Sequence, residues 1–132
     1  MNTLLVIGFV VALAAAALHV YIFTMESITW SKPKTWKTFG VKTQEEAEIV
    51  KPMAFNQGFY NLFLAVAIII GFVVAIAGQP LVGTAVALVG AGSMLAAALV
   101  LILSNPKLAR AAITQGTLPL IAVILLAIGL AA

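Results

Sequence analysis

The stretch NQGFYNLFLAVAIIIGFVVAIAGQPLVGTAVALVGAGSMLAAALVLIL, residues 56–103, decides the fold. It holds two apolar runs, Asn56 to Ala77 and Leu81 to Leu103, separated only by Gly78-Gln79-Pro80, and contains no Lys, Arg, Asp or Glu. A hydrocarbon core about 30 Å thick needs roughly 20 helical residues at 1.5 Å each, so each run is long enough to cross a bilayer. Within lipid a lone segment satisfies its backbone donors and acceptors only as a helix. A turn this short leaves no room for a crossing connection, and the two helices run antiparallel.

Two further runs flank this hairpin, Thr3 to Met25 and Ala111 to Ala131. The expected fold is therefore an all-α, four-helix, up-and-down membrane bundle occupying residues 1–132 as one domain. Its helices are expected at about 3–25, 44–77 with a membrane part at 56–77, 81–103 and 111–131. Composition agrees: 64% of residues are apolar, 8% are charged, and mean hydropathy is +1.19, far from a soluble domain. The first run is read as a retained helix and not a cleaved signal, because no Lys or Arg precedes it and its apolar character continues to Met25.

All seven cations lie in two places. Lys32, Lys34, Lys37, Lys42 and Lys51 lie between the first and second helices, and Lys107 and Arg110 between the third and fourth. The positive-inside rule then puts both charged loops on the cytoplasmic side of the membrane and both termini on the opposite side. Membrane lipids, through their anionic headgroups, account for such clusters without a nucleic-acid partner. Trp30 and Trp36 suit the headgroup layer, so the first loop is expected to lie along the inner surface.

Within that loop Thr43-Gln44-Glu45-Glu46 reads as a capping box, starting the second helix before the membrane, and Pro52 is expected to bend it on entry. The third helix carries Gly83, Ala87, Gly90, Ala91, Gly92 and Ala96, small residues suited to close packing or to a homo-oligomer contact. Pro119 would leave a carbonyl near Gln115 without its usual donor, and a kink there could open a small cavity. No internal repeat of the kind built into many transporters is evident.

The few polar residues of the spans fall mostly in the cytoplasmic half: His19 and Glu26 on the first helix, Asn56, Gln57, Tyr60 and Asn61 on the second, and Gln115 on the fourth. Such groups are costly in hydrocarbon and mark functional sites. His19 and Glu26 are seven residues apart, within about 20° on one helix face, with Trp30 continuing the stripe. Their rise of about 10 Å is too long for one metal ion. Asn56 with Tyr60, and Gln57 with Asn61, are i, i+4 pairs. Each has a plain structural alternative: Glu26 as a solvated or Lys-paired anchor, His19 as an interhelical hydrogen bond, the amides as helix glue. The absence of cysteine, of a phosphate loop and of a His–carboxylate metal set points to no metal ion or other cofactor, and argues against hydrolase and kinase chemistry.

Taken together, His19, Glu26 and Trp30, the string Asn56-Gln57-Gly58-Phe59-Tyr60-Asn61, and Gln115-Gly116 resemble the small bacterial membrane proteins grouped as domain of unknown function 1304. The resemblance covers essentially the whole chain. It implies a multi-pass membrane protein of this size and brings no activity, substrate or catalytic residue. In that family Pro often follows Gln-Gly closely, whereas here Thr117-Leu118 precede Pro119. The leading expectation is a pocket, lined by His19, Glu26, Trp30, Asn56, Gln57, Tyr60, Asn61 and Gln115, for a small amphiphilic ligand or lipid in transport or sensing. The alternatives are an isomerase-like enzyme using Glu26 or His19 as acid/base on a lipid-soluble substrate, and a purely structural network.

Overall fold

A computed structural model describes residues 1–132. Four helices long and apolar enough to span a membrane are joined without any strand: α1 (Thr3–Phe23), extended by one wider turn at Thr24–Ile28; α3 (Gln44–Ile76); α4 (Pro80–Ser104); and α5 (Ala109–Ala131). The short α2 (Pro33–Thr38) lies in the first loop, and a single 3₁₀ turn, Pro106–Leu108, leads into α5. α1 packs on α3 and α5, and α4 on the same two helices, so the four close into a ring with α1 and α4 on the diagonal. This is a multi-pass membrane protein. Large apolar side chains such as Val10, Val89, Val100 and Leu103 point outward, an arrangement that suits lipid and would be a liability in water.

The core is built largely of alanine, with Phe9, Ile68, Met94 and Leu126 as its fully buried larger members. Phe9 meets Phe72 with ring centroids 5.6 Å apart. Lipid tails are as apolar as these side chains, so tight contact and not water exclusion holds the helices together, and small residues are what make it possible. The closest approach is between α3 and α4, where Gly71 and Gly83 face one another. A Cβ on Gly71 would lie 2.6 Å from the Gly83 carbonyl oxygen. Gly83, Ala87, Gly90 and Ala91 are thus buried inside the bundle, and only Gly92 of the glycines on α4 looks onto open space. The small-residue stripe, expected either to seal the bundle or to form an oligomer contact, packs mostly against the chain's own α3.

α3 begins at its cap. Thr43 Oγ1 accepts from the Glu46 N–H at 3.2 Å, while the Glu46 carboxylate accepts from the N–H of Lys42 at 3.0 Å, one residue before the partner that the capping box predicts. The helix then runs unbroken through Pro52 for 33 residues. At about 50 Å it exceeds the hydrocarbon core, so its charged first turns stand outside it. α5 likewise continues through Pro119, which is buried.

The opposite end of the bundle is tied by one side chain. Asn2 caps α1 through its Oδ1, which accepts from the Leu5 N–H at 2.9 Å, and its Nδ2 donates to the Gly129 carbonyl of α5 at 2.8 Å. Asn2→Ala is expected to cost about 1–2 kcal/mol by losing both bonds, and Asn2→Asp, which keeps only the cap, to recover part of that. Thermal melts of the three proteins in one detergent check this. Equal melting temperatures would show that the tie adds nothing.

Candidate functional site

The site starts where α1 stops being a regular helix. After Phe23 the chain makes one π turn, in which the Thr29 N–H donates to the Thr24 carbonyl, five residues back, at 2.9 Å. π turns widen a helix locally and recur at functional sites. This one carries Glu26 at its centre and turns it inward, leaving it only 5% exposed. Extrapolating 100° per residue from His19 stops being valid at Phe23, and nothing in the local sequence marks the change.

α3 comes against this turn through Gly58. A Cβ there would collide with Ser27 Oγ and lie 3.1 Å from Glu26 Cβ, so glycine is what permits the contact. Ser27 Oγ donates to the Phe55 carbonyl at 2.8 Å, a second link between the helices that the sequence reading missed. One turn deeper, Asn61 Nδ2 donates to Glu26 Oε2 at 2.8 Å and lies 3.3 Å from the Gln57 carbonyl. Phe23 packs edge-on against Phe59, 5.1 Å between centroids, and Phe59 stacks on toward Phe55 at the same distance, so an aromatic wall stands beside the polar pair.

No cation accompanies Glu26. The chain's single ion pair joins Lys51 to Glu48 at 3.5 Å on the exposed start of α3, so the Lys-paired anchor considered for Glu26 is not what forms. His19 is also buried, and its Nδ1 lies 2.9 Å from the Ala15 carbonyl, a contact that only a protonated Nδ1 can make. In the neutral ring Nε2 is then the acceptor, and it makes no hydrogen bond. No hydrogen bond joins His19 to Glu26.

The remaining expected site residues divide. Gly58 and Ala65 set the inward direction of α3. Asn56 and Tyr60 each lie two residues from Gly58, hence about 160° around the helix, and both are exposed. Gln57 is exposed as well, on the flank beside Asn61. Trp30 is buried, yet not with Glu26. Its Nε1 donates to the Ala47 carbonyl at 2.9 Å and its ring lies 5.5 Å from Phe39, within a separate apolar cluster that clamps the first loop onto the start of α3. Trp36 shares that cluster, its Nε1 without a partner.

Gln115 is half-buried on α5 and hydrogen-bonds to none of the others; the neighbouring Gly116 is the residue that presses on Ala98 of α4. A groove of about 170 Å³ does open along this stretch, between Leu95, Ala98 and Ile102 of α4 and Ile113 and Gly116 of α5. It is almost wholly apolar, and Gln115 does not line it.

What the geometry brings together is thus Glu26 and Asn61, with Ser27 and Gly58 supporting them and a phenylalanine wall alongside. No curated protein and no solved structure matches the chain. Its residues 3–127 match the family model described as "Protein of unknown function (DUF1304)", and the chain belongs to that family.

Proposed function

We propose that the protein binds a small amphiphilic molecule, taken from the cytoplasmic leaflet between α1 and α3, whose polar head donates hydrogen bonds to Glu26. One observation carries this reading: a carboxylate buried in a membrane-spanning helix with a single amide donor and no cation. With two oxygens and one partner, most of the carboxyl group's hydrogen-bonding capacity is unused within the chain. Buried polar groups left unmatched are expensive, and a ligand that supplies donors or a positive charge would offset that cost.

The exposed Gln57, on the flank of α3 beside Asn61, supports the same reading. It gives a polar head its foothold on the lipid-facing side, and Asn61 continues the path inward. Phe23 and Phe59 offer the apolar part of the ligand a surface. Binding confined to one leaflet fits sensing, or one step of carriage, of such a molecule.

The test is native mass spectrometry of the full chain extracted from its own membrane, as wild type, Glu26→Gln and Asn61→Ala. A molecule with an apolar tail and a donor-bearing head, retained by the wild type and lost by both variants, is the expected result. A wild-type protein with nothing bound, or equal retention in all three, would overturn the reading.

A further inference from the structure

On the side of α1 that faces the first loop, the structure holds a cleft of about 280 Å³ that no part of the Glu26 site lines. Its polar wall is Thr24, Thr29, Thr35, Thr38, Lys32 and Lys34, and Tyr21 and Met25 form its membrane side. We propose that this cleft is a binding site for the phosphate group of an anionic amphiphile, with Lys32 and Lys34 as its cationic clamp and the Thr29 and Thr35 hydroxyls as its floor, the Thr24 and Thr38 hydroxyls being already donated to the Tyr21 and Lys34 carbonyls.

Charge is the first argument. Lys32 and Lys34 pair with no carboxylate. Of the four glutamates, Glu26 is turned to Asn61, and Glu45, Glu46 and Glu48 stand on the first turns of α3, outside the cleft. The lining therefore carries two positive charges and no negative one. The floor is the second argument. Thr35 is only 8% exposed, and its hydroxyl meets that of Thr29 at 3.3 Å, while Thr29 Oγ1 is also 3.3 Å from the Thr24 carbonyl. These contacts are at the long end for O–H···O bonds, so a phosphate oxygen above them could draw a shorter one.

Position is the third argument. The cleft spans the end of α1 and the first loop, beside the cluster of Trp30 and Trp36, at the level where lipid headgroups lie. Basic pockets at that level recognise phosphorylated headgroups. General attraction of a basic loop to a membrane needs no cleft, and the test is designed to separate the two.

The full chain is placed in nanodiscs of phosphatidylcholine with a minor share of phosphatidylglycerol, released, and its retained phosphatidylglycerol is counted by native mass spectrometry. The proteins compared are wild type, Lys32→Ala/Lys34→Ala, Thr35→Val and Lys107→Ala/Arg110→Ala, the last removing two charges from the other loop at the same end of the bundle. The cleft predicts a loss of roughly ten-fold or more for the lysine double variant, about three-fold for Thr35→Val, and little change for the control pair. Equal losses in the two double variants, or no loss in the first, would overturn the proposal. The same samples titrated with inorganic phosphate identify the source. Displacement of the lipid by millimolar phosphate assigns the site to soluble phosphate esters as well, whereas resistance to it assigns the site to the phospholipid itself; both outcomes presuppose the lysine-dependent retention.

Discussion

Gly83→Ala is expected to be among the most damaging single-methyl changes in the chain, and Gly92→Ala, nine residues along the same helix, among the mildest. A Cβ on Gly83 would run into the carbonyl oxygen of Gly71 and the backbone nitrogen of Ala75 and lie 2.7 Å from Ala75 Cβ. Two of these three are backbone atoms, which cannot rotate away as a side chain can, so α3 and α4 must separate. Forcing extra volume into a packed core typically costs 1–3 kcal/mol, and here about 3 kcal/mol is expected, since the displacement also loosens the contacts of Gly71 with Ala87.

Nothing lies within 4 Å of the position that a Cβ on Gly92 would take. That substitution should leave stability unchanged or raise it by some tenths of a kcal/mol, because alanine is the better helix former. Denaturation of both variants in one mixed detergent series measures the difference. If the two proteins unfold together, the α3–α4 contact is looser than described, and the small residues of α4 have no special part in the bundle.

The second large effect is expected at Glu26 and Asn61, and the two substitutions should differ from one another. Asn61→Ala removes the single donor to Glu26 and leaves a buried carboxylate without a partner, at a cost of about 1–3 kcal/mol. Glu26→Gln keeps an oxygen that can accept from Asn61, so stability should fall by less than about 1 kcal/mol. Ligand retention is expected to drop roughly ten-fold or more in both: in Glu26→Gln because loss of a charge-assisted hydrogen bond to the ligand commonly costs about 1.5–3 kcal/mol, and in Asn61→Ala because the carboxylate loses the one bond that holds it in place.

Loss of ligand at nearly unchanged melting temperature in Glu26→Gln is the signature of a binding group. If instead that variant loses stability as Asn61→Ala does, and the double-mutant cycle shows a coupling that accounts for it, the pair is helix glue. Gly58→Ala offers an independent check on the same place. Its methyl would strike Ser27 Oγ and press on Glu26 Cβ, so it should disturb both stability and retention.

The bundle was legible in the sequence because the signals for it are local and additive. Run length, the lack of charge and the short turn Gly78-Gln79-Pro80 specify spans and their alternation wherever the neighbours happen to be. The cap at Thr43 was legible for the same reason, since its partners lie within four residues. The candidate site was legible only in part. Glu26, Asn61 and His19 stood out as polar groups in apolar runs, and all three do turn into the bundle, Asn61 incompletely.

Their company was not legible. Asn56 and Tyr60 share a motif with Asn61 in sequence and leave it in space, and Trp30 departs to close the loop onto Ala47. Ser27 and the threonines at 24, 29 and 35 carry no individual signal, because a hydroxyl near a membrane surface is ordinary until a fold gathers several of them.

The sequence by itself determined that the chain crosses the membrane four times as antiparallel helices, since hydrophobic length and backbone hydrogen-bonding admit no other spanning structure for these runs. Only the tertiary structure decided which way each helix faces. That rotation is set where two helices can approach most closely, at Gly58 against Ser27 and at Gly71 against Gly83, and the π turn at Thr24–Ile28 then aims Glu26 at Asn61. A close approach belongs to a pair of surfaces, so neither strand of sequence specifies it alone.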